Sequence, residues 1–356
     1  MTFSKEFSTN GKLITYKRSF KQFLLSSSNI YFPSPSKAFQ THLTVNVNLR
    51  WLATSNAMAL TTNDCTLLFY SKKILNVSYK ETLMLGRLNL NATREDIKKC
   101  IAKYQSNVKD IDAVKFPDEY SEPLLEILGG EKIDSMDLSA YENATVLHDL
   151  NLPVGDELKN KYSVVIDGGT IEHVFNFPVA IKNSMEMLKV GGHYIGITPA
   201  NNAMGHGFYQ FSPELYFRVF SEENGFKIKK MLISVTIESE THWYEVADPK
   251  DVNNRVMLVN NIPVSLMIVA EKIAEKEIFA IIPQQLDYAN TWNAHASLVE
   301  NKVQQNESKI KFLYRKTVPK RLKIIFRNIY DIIFVEKSKN EFIGEFNPRH
   351  FIRTEI

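Results

Sequence analysis

Residues 162–226 read YSVVIDGGTIEHVFNFPVAIKNSMEMLKVGGHYIGITPANNAMGHGFYQFSPELYFRVFSEENGF. The opening Tyr162-Ser163-Val164-Val165-Ile166 is a short apolar run closed by Asp167-Gly168-Gly169. Such a run predicts a strand buried on both faces, as in parallel sheets. Apolar residues then recur at helical spacing over 177–188. Gly191-Gly192 is expected to stop that helix. Residues 193–197 predict the next strand, with Pro199 expected to break it. Ser212-Pro213-Glu214 predicts a second helix start, with an N-cap, a proline at the first position and an acid in the first turn. That helix should end before Gly225.

The same texture extends in both directions. Upstream, 82–85 predicts a short strand ending at Gly86, and Thr93 with Asp96 forms a capping box that opens a helix toward Tyr104. A short helix follows from Pro123 to the stop at Gly129-Gly130. Residues 132–136 predict a strand ending at Asp137, and 145–148 another ending at Asp149. Downstream, 229–238 and 262–272 are rich in Val, Ile, Leu and Met, as a closing antiparallel pair would be. Alternating strands and helices over 79–290 predict an α/β fold, a doubly wound Rossmann-like sheet with its ligand crevice at the carboxyl ends of the strands.

Two extensions flank that domain. Residues 1–78 are rich in Ser, Asn and Thr, with helical spacing over 45–60 and a short strand predicted at 66–70. Residues 291–356 include a basic stretch with Lys309, Lys311, Arg315, Lys316, Lys320, Arg321, Lys323 and Arg327. There Val318, Leu322, Ile325, Ile329 and Ile332 recur at helical spacing, predicting a basic amphipathic helix over 309–333. The plain reading is the solvated face of a packed helix. The alternative is peripheral contact with a membrane surface.

The 356 residues carry 43 Lys plus Arg against 40 Asp plus Glu, a net charge of +3. So weak a bias gives no reason to expect nucleic-acid binding. Two cysteines, Cys65 and Cys100, cannot build a disulfide framework, which points to a reducing, cytoplasmic compartment. No apolar h-region follows the N-terminal lysines, so no signal peptide is expected.

In order, the chain offers a strand ending in an acid (Asp167), an Ile-Glu-His-Val element, a helix closing in Leu-Lys-Val-Gly-Gly, a strand ending in Thr-Pro, and a Ser-Pro-capped helix leading to Gly-Phe. This succession resembles the class I S-adenosylmethionine-dependent methyltransferases, and most of all the methyltransferase-like proteins of bacterial surface-sugar clusters. The resemblance is sharp over 145–226. It implies a seven-stranded sheet, S-adenosyl-L-methionine as cofactor, and methyl transfer to a sugar, glycan or other small-molecule hydroxyl. It also implies cofactor contacts by residue. Asp137 would meet the ribose hydroxyls, as an acid in that place does in dinucleotide folds, and Asp149 the adenine. Asp167, with Gly168 clearing space for backbone approach, would lie at the crevice. The bland readings are a helix cap or surface acid for Asp137, and turn residues for Asp149 and Asp167.

One departure stands out. Where the family carries a glycine-rich loop after its first strand, this chain has Leu85-Gly86-Arg87. Gly86 would let backbone approach the cofactor, and Arg87 would face its carboxylate. The eroded loop supports a second reading, a degenerate methyltransferase fold that binds or scaffolds without catalysis. Glu172 and His173 open the segment after the 162–167 strand, and His206 lies in Met204-Gly205-His206-Gly207. Two imidazoles and a carboxylate suit a divalent ion. However, Gly169 stands where the Glu-x-x-Glu-His element of certain O-methyltransferases has its first Glu, so a metal-free role takes precedence. In that role His206 or His173 is the general base that removes the acceptor's proton. Phe208, Tyr209 and Phe211 either wall an acceptor pocket or pack on the sheet.

Overall fold

A computed structural model of the protein describes residues 2–9, 12–19, 59–104, 111–112, 114–237, 240–252, 254–292 and 347–356. The chain divides into two compact units, Met1–Ser55 and Asn56–Ile356. In the first, β1 (Thr2–Thr9) and β2 (Lys12–Ser19) pair antiparallel from Thr2↔Ser19 to Thr9↔Lys12.

The second unit is built on one mixed sheet. Its strands are β4 (Glu81–Leu85), β6 (Lys132–Asp137), β7 (Val146–Leu147), β8 (Tyr162–Asp167), β9 (Leu188–Asn201), β10 (Phe226–Ile237), β11 (Glu240–Val246), β12 (Val264–Lys272) and β13 (Phe351–Thr354). They lie in the order β13-β11-β10-β12-β9-β8-β4-β6-β7. β7, β6, β4, β8 and β9 are mutually parallel. β12 runs antiparallel between β9 and β10, so β10 points the same way as the parallel set. The chain starts at β4, winds outward through β6 to β7, then returns to the other side of β4 as β8. That reversal is a topological switch point, where such sheets bind ligands. The protein has a doubly wound, Rossmann-like fold of the class I methyltransferase type. Its seven expected strands are widened to nine by β11 and β13.

Local chemistry explains the elements. All six residues of β8 are buried, because the strand is covered on both faces. One face packs under α4 (Phe177–Glu186) and α5 (Pro213–Val219), with Ile181, Met185, Tyr194, Tyr216 and Phe220 in a continuous core. The other face packs under α1 (Thr62–Ile74), α2 (Arg94–Lys103) and α3 (Glu122–Ile127), through Leu67, Leu68, Ile97 and Leu124. A short parallel pair, β3 (Ala59–Leu60) with β5 (Asn89–Leu90), lies beside them.

Several expectations need correction. Residues 66–70 belong to helix α1, not to a strand. The run Leu67-Leu68-Phe69 is too short for periodicity to decide, and the capping pair Thr61/Asp64 starts a helix ahead of it. Gly191-Gly192 does not stop α4, which ends at Glu186. It forms a bulge in β9, with the register jumping from Tyr162↔Leu188 to Val164↔His193. Pro199 does not break β9 either. It faces Ser265 at a register shift, where a missing N–H is tolerated. The expected boundary between 78 and 79 falls inside the second unit, and β13 returns residues beyond 291 to the sheet. The basic stretch 309–333 and most of 45–60 lie outside the described residues.

Candidate active site

Two loops leave the carboxyl ends of the neighbouring strands β8 and β9 and are bonded to each other. Beyond Asp167, the chain turns through Gly168-Gly169-Thr170 into a 3-10 turn, Ile171–His173. Beyond Asn201, it runs through 202–211. The Glu172 carbonyl accepts from the N–H groups of Phe208 (2.9 Å) and Tyr209 (3.2 Å). The Tyr209 hydroxyl donates to the Phe175 carbonyl at 2.7 Å. Gly207 permits this closeness: a Cβ there would lie 2.9 Å from the Glu172 carbonyl oxygen and 3.1 Å from its Cγ.

Asp167 anchors the arrangement from below. It is fully buried, and its Oδ1 accepts from the N–H groups of Thr170 (2.9 Å) and Ile171 (3.2 Å). Its Oδ2 accepts from the Tyr194 hydroxyl at 2.8 Å. Burial, reinforced by the charge of Glu172, pushes its carboxyl up to about 7, against the pull of those hydrogen bonds. Both oxygens therefore bond to the protein itself, and the residue shapes the loop.

Glu172, His173 and His206 come together above it. The Glu172 side chain is only 1% exposed; Oε1 lies 3.6 Å from His206 Nε2, and the buried Oε2 has no hydrogen-bond partner. The His206 ring sits 5.2 Å from that of His173, tilted by 55°. One ligand atom from each of the three residues falls within 4.8 Å of the others. The Glu172 carboxylate beside it raises the affinity of His206 for a proton, against the effect of burial. Both histidines are exposed, and so are Phe175, Phe208 and Met204 beside them. Of the aromatics expected to wall or pack, Phe208 is exposed and meets Phe175 edge-on, whereas Phe211 is buried against Phe177.

At the other end of the switch point, Asp137 and Asp149 are brought together. Asp137 pairs with Leu147 across β6 and β7, and the His148 N–H donates to the Asp137 carbonyl at 2.9 Å. Each aspartate uses Oδ1 in a local turn, Asp137 with Ser139 N (3.0 Å) and Asp149 with Asn151 N (2.9 Å). Bonds from Asn151 hold the Asp149 carboxyl below its ordinary range. The long interval from Gly86 to Asp137 is taken up by α2 and α3.

The eroded glycine loop behaves differently. Gly86 takes the left-handed φ of +71° and donates its N–H to Met136 O at 2.7 Å, which extends the sheet. Arg87 is engaged by the protein: Nε donates to Glu122 Oε1 (2.7 Å), a terminal nitrogen donates to the Glu142 carbonyl (3.1 Å), and Asp118 lies 3.5 Å away. Its guanidinium stacks 3.8 Å over the Tyr120 ring. The space beside Gly168 is filled by Leu88, which comes within 2.8 Å of where a Cβ would stand. Neither the acid nest around Arg87 nor Leu88 was visible in the sequence. Glu122 lies 35 residues from Arg87, and no spacing rule reaches that far.

No family model matches the chain, and no curated protein matches it. Solved structures that resemble it include a 1,6-didemethyltoxoflavin-N1-methyltransferase from Burkholderia thailandensis with bound S-adenosylhomocysteine. The TM-score is 0.32 and the identity 10%, covering 60% of this chain and 78% of that one. A putative methyltransferase from Bacillus halodurans gives a TM-score of 0.32 and 11% identity, covering 60% and 100%. A branched-chain polyamine synthase from Thermus thermophilus gives 0.32 and 13%, covering 62% and 59%.

Proposed function

We propose that the protein is an S-adenosylmethionine-dependent methyltransferase acting on a small-molecule hydroxyl. A sugar or glycan intermediate is the acceptor class that the sequence resemblance favours. The observation that carries this reading is the Glu172–His206 pair at the carboxyl ends of β8 and β9, across the switch point from Asp137 and Asp149. The nucleoside end of the cofactor fits the residues present. The Oδ2 atoms of Asp137 and Asp149 make no hydrogen bond among the described residues, and a ribose hydroxyl and an adenine amino group are donors of the right kind. The amino-acid end fits less well, because Arg87 already holds Glu122 and Asp118.

When bound, the cofactor supplies an electrophilic methyl group on a sulfonium. The rest falls to the chain. His206 takes the proton from the acceptor oxygen on the ring nitrogen that does not face Glu172. Glu172, buried behind it, stabilises the resulting imidazolium. Base catalysis of this kind contributes roughly 10² to 10⁴ in rate. Phe175 and Phe208 border the approach with apolar surface. No helix among the described residues is long and apolar enough to cross a membrane. A cytoplasmic protein that touches the inner membrane face through 309–333 is consistent with this reading.

The second reading, a methyltransferase fold that binds without catalysing, is favoured by the sequestered Arg87 and by Leu88 beside Gly168. Calorimetry with S-adenosylmethionine and its demethylated product separates the two. Saturable heat with both ligands supports the enzyme; no heat at millimolar ligand supports the binding module. If the cofactor binds, His206→Ala should lower turnover far more than cofactor affinity, with His173→Ala as the paired variant. Unchanged turnover in both removes the base assignment.

A further inference from the structure

We propose that Glu172, His173 and His206 form a binding site for one divalent first-row transition-metal ion. Three observations converge on it. The first is geometry. Around a tetrahedral ion with bonds of about 2.1 Å, neighbouring ligand atoms stand about 3.4 Å apart. Here Glu172 Oε1 and His206 Nε2 are 3.6 Å apart, and the three ligand atoms all fall within 4.8 Å of one another. Small side-chain rotations close that difference.

The second is an unsatisfied atom. Glu172 is 1% exposed, yet its Oε2 has no hydrogen-bond partner. A buried carboxylate oxygen without a partner costs free energy unless something compensates it. The third is charge. Asp167 and Glu172 are two buried carboxyl groups in electrostatic contact, and among the described residues no lysine or arginine pairs with either. A dication supplies more positive charge there than a protonated His206 does.

The donor set selects the ion. Two imidazoles and one carboxylate suit manganese, iron, cobalt, nickel or zinc rather than magnesium or calcium, which prefer oxygen. Three protein ligands leave coordination positions open. Gly169 contributes to this: a side chain there would begin 3.2 Å from Glu172 Oε1, so its absence leaves that oxygen unobstructed. The site goes beyond the methyltransferase reading and does not depend on it. An ion held between Glu172 and His206 Nε2 replaces the pairing on which the base relies, so the metal-loaded protein and the protein with a free base are two states of one site.

Binding is measured directly on the full chain after chelator treatment and dialysis. Cobalt(II) chloride is titrated in while visible d–d absorption is followed, and zinc chloride is titrated by calorimetry. The expected result is saturation at one ion per chain, with binding weakened at least about tenfold in each of Glu172→Gln, His173→Ala and His206→Ala. His242→Ala, elsewhere on the surface, should bind like the parent. The exposed His173 can be truncated without disturbing the core, so folding does not confound that variant. No saturable binding up to millimolar metal, or equal affinity in all four variants, overturns the proposal. Cofactor calorimetry on the same stripped chain is read separately, so either reading can fail while the other stands.

Discussion

At the scale of single residues, Gly207 constrains the site because a side chain there would meet backbone. An alanine methyl there would sit 2.9 Å from the Glu172 carbonyl, closer than backbone can accommodate without moving. The 172 and 206 loops would part, and Glu172 would lose its alignment with His206. Gly207→Ala should therefore cost about 1–3 kcal/mol of stability and weaken whatever the cluster binds, cofactor-independent metal binding included. Parent-like melting and parent-like metal affinity together would refute the role assigned to this glycine. Asp64 offers a pH-dependent test away from the site. Burial raises its carboxyl from 3.8 to about 6, against two hydrogen bonds with Thr61. The folded state then holds this proton more tightly than the unfolded state. Its contribution to stability is largest below about pH 3.8 and is lost as pH rises through 6, by at most roughly 3 kcal/mol. Asp64→Asn should flatten the stability profile between pH 4 and 6 relative to the parent in urea melts; parallel profiles would show that the group titrates normally.

At the scale of elements, the β8–α4–β9–α5 run was legible because each piece carries its own signal. β8 is a wholly buried, mostly apolar run, α4 has helical spacing, and α5 has a Ser-Pro-Glu start. The misreadings fall where a tertiary partner overrides local preference. Gly191-Gly192 looks like a helix stop but serves a bulge against β8, and Pro199 lies in a strand because the opposing register shifts there. The candidate site was legible as residue types, since Glu172, His173 and His206 do meet. The roles expected of Arg87 and Gly168 were not legible, because Glu122, Asp118, Leu60 and Leu88 arrive from other elements. The link between β4 and β5 therefore carries a decisive variant. Leu88 is fully buried, and Leu88→Ala should cost about 2–5 kcal/mol. If the loop already admits S-adenosylmethionine, its affinity should stay near that of the parent. A large gain in affinity would mean that Leu88 blocks the cofactor, and would favour the non-catalytic reading.

At the scale of the whole second unit, the parallel centre of the sheet follows from the sequence, but its far edge does not. β11 reads ETHWYEV, with polar residues interspersed among apolar ones, and β13 is separated from β11 by about a hundred residues. β13 nevertheless completes the fold. It pairs with β11 from Trp243↔Thr354 to Val246↔Phe351, and so covers backbone that would otherwise stand as an open edge. Phe351 and Ile356 are buried, Phe351 in the core cluster beneath α4 and α5 and Ile356 in the cluster on the opposite face. Lys103 of α2 donates to the Ile356 carbonyl, tying this segment to a helix of the second cluster. Burying each of those two side chains contributes about 1.5–3 kcal/mol, so deleting residues 347–356 should lower the melting temperature measurably. It should also expose the β11 edge and Trp243, giving red-shifted tryptophan emission and concentration-dependent light scattering. The double variant Phe351→Ala/Ile356→Ala keeps the strand backbone and should lose stability without the scattering. If deletion leaves the melting curve unchanged, β13 contributes nothing to the sheet. If the double variant aggregates as the deletion does, the edge is guarded by side-chain burial rather than by strand pairing.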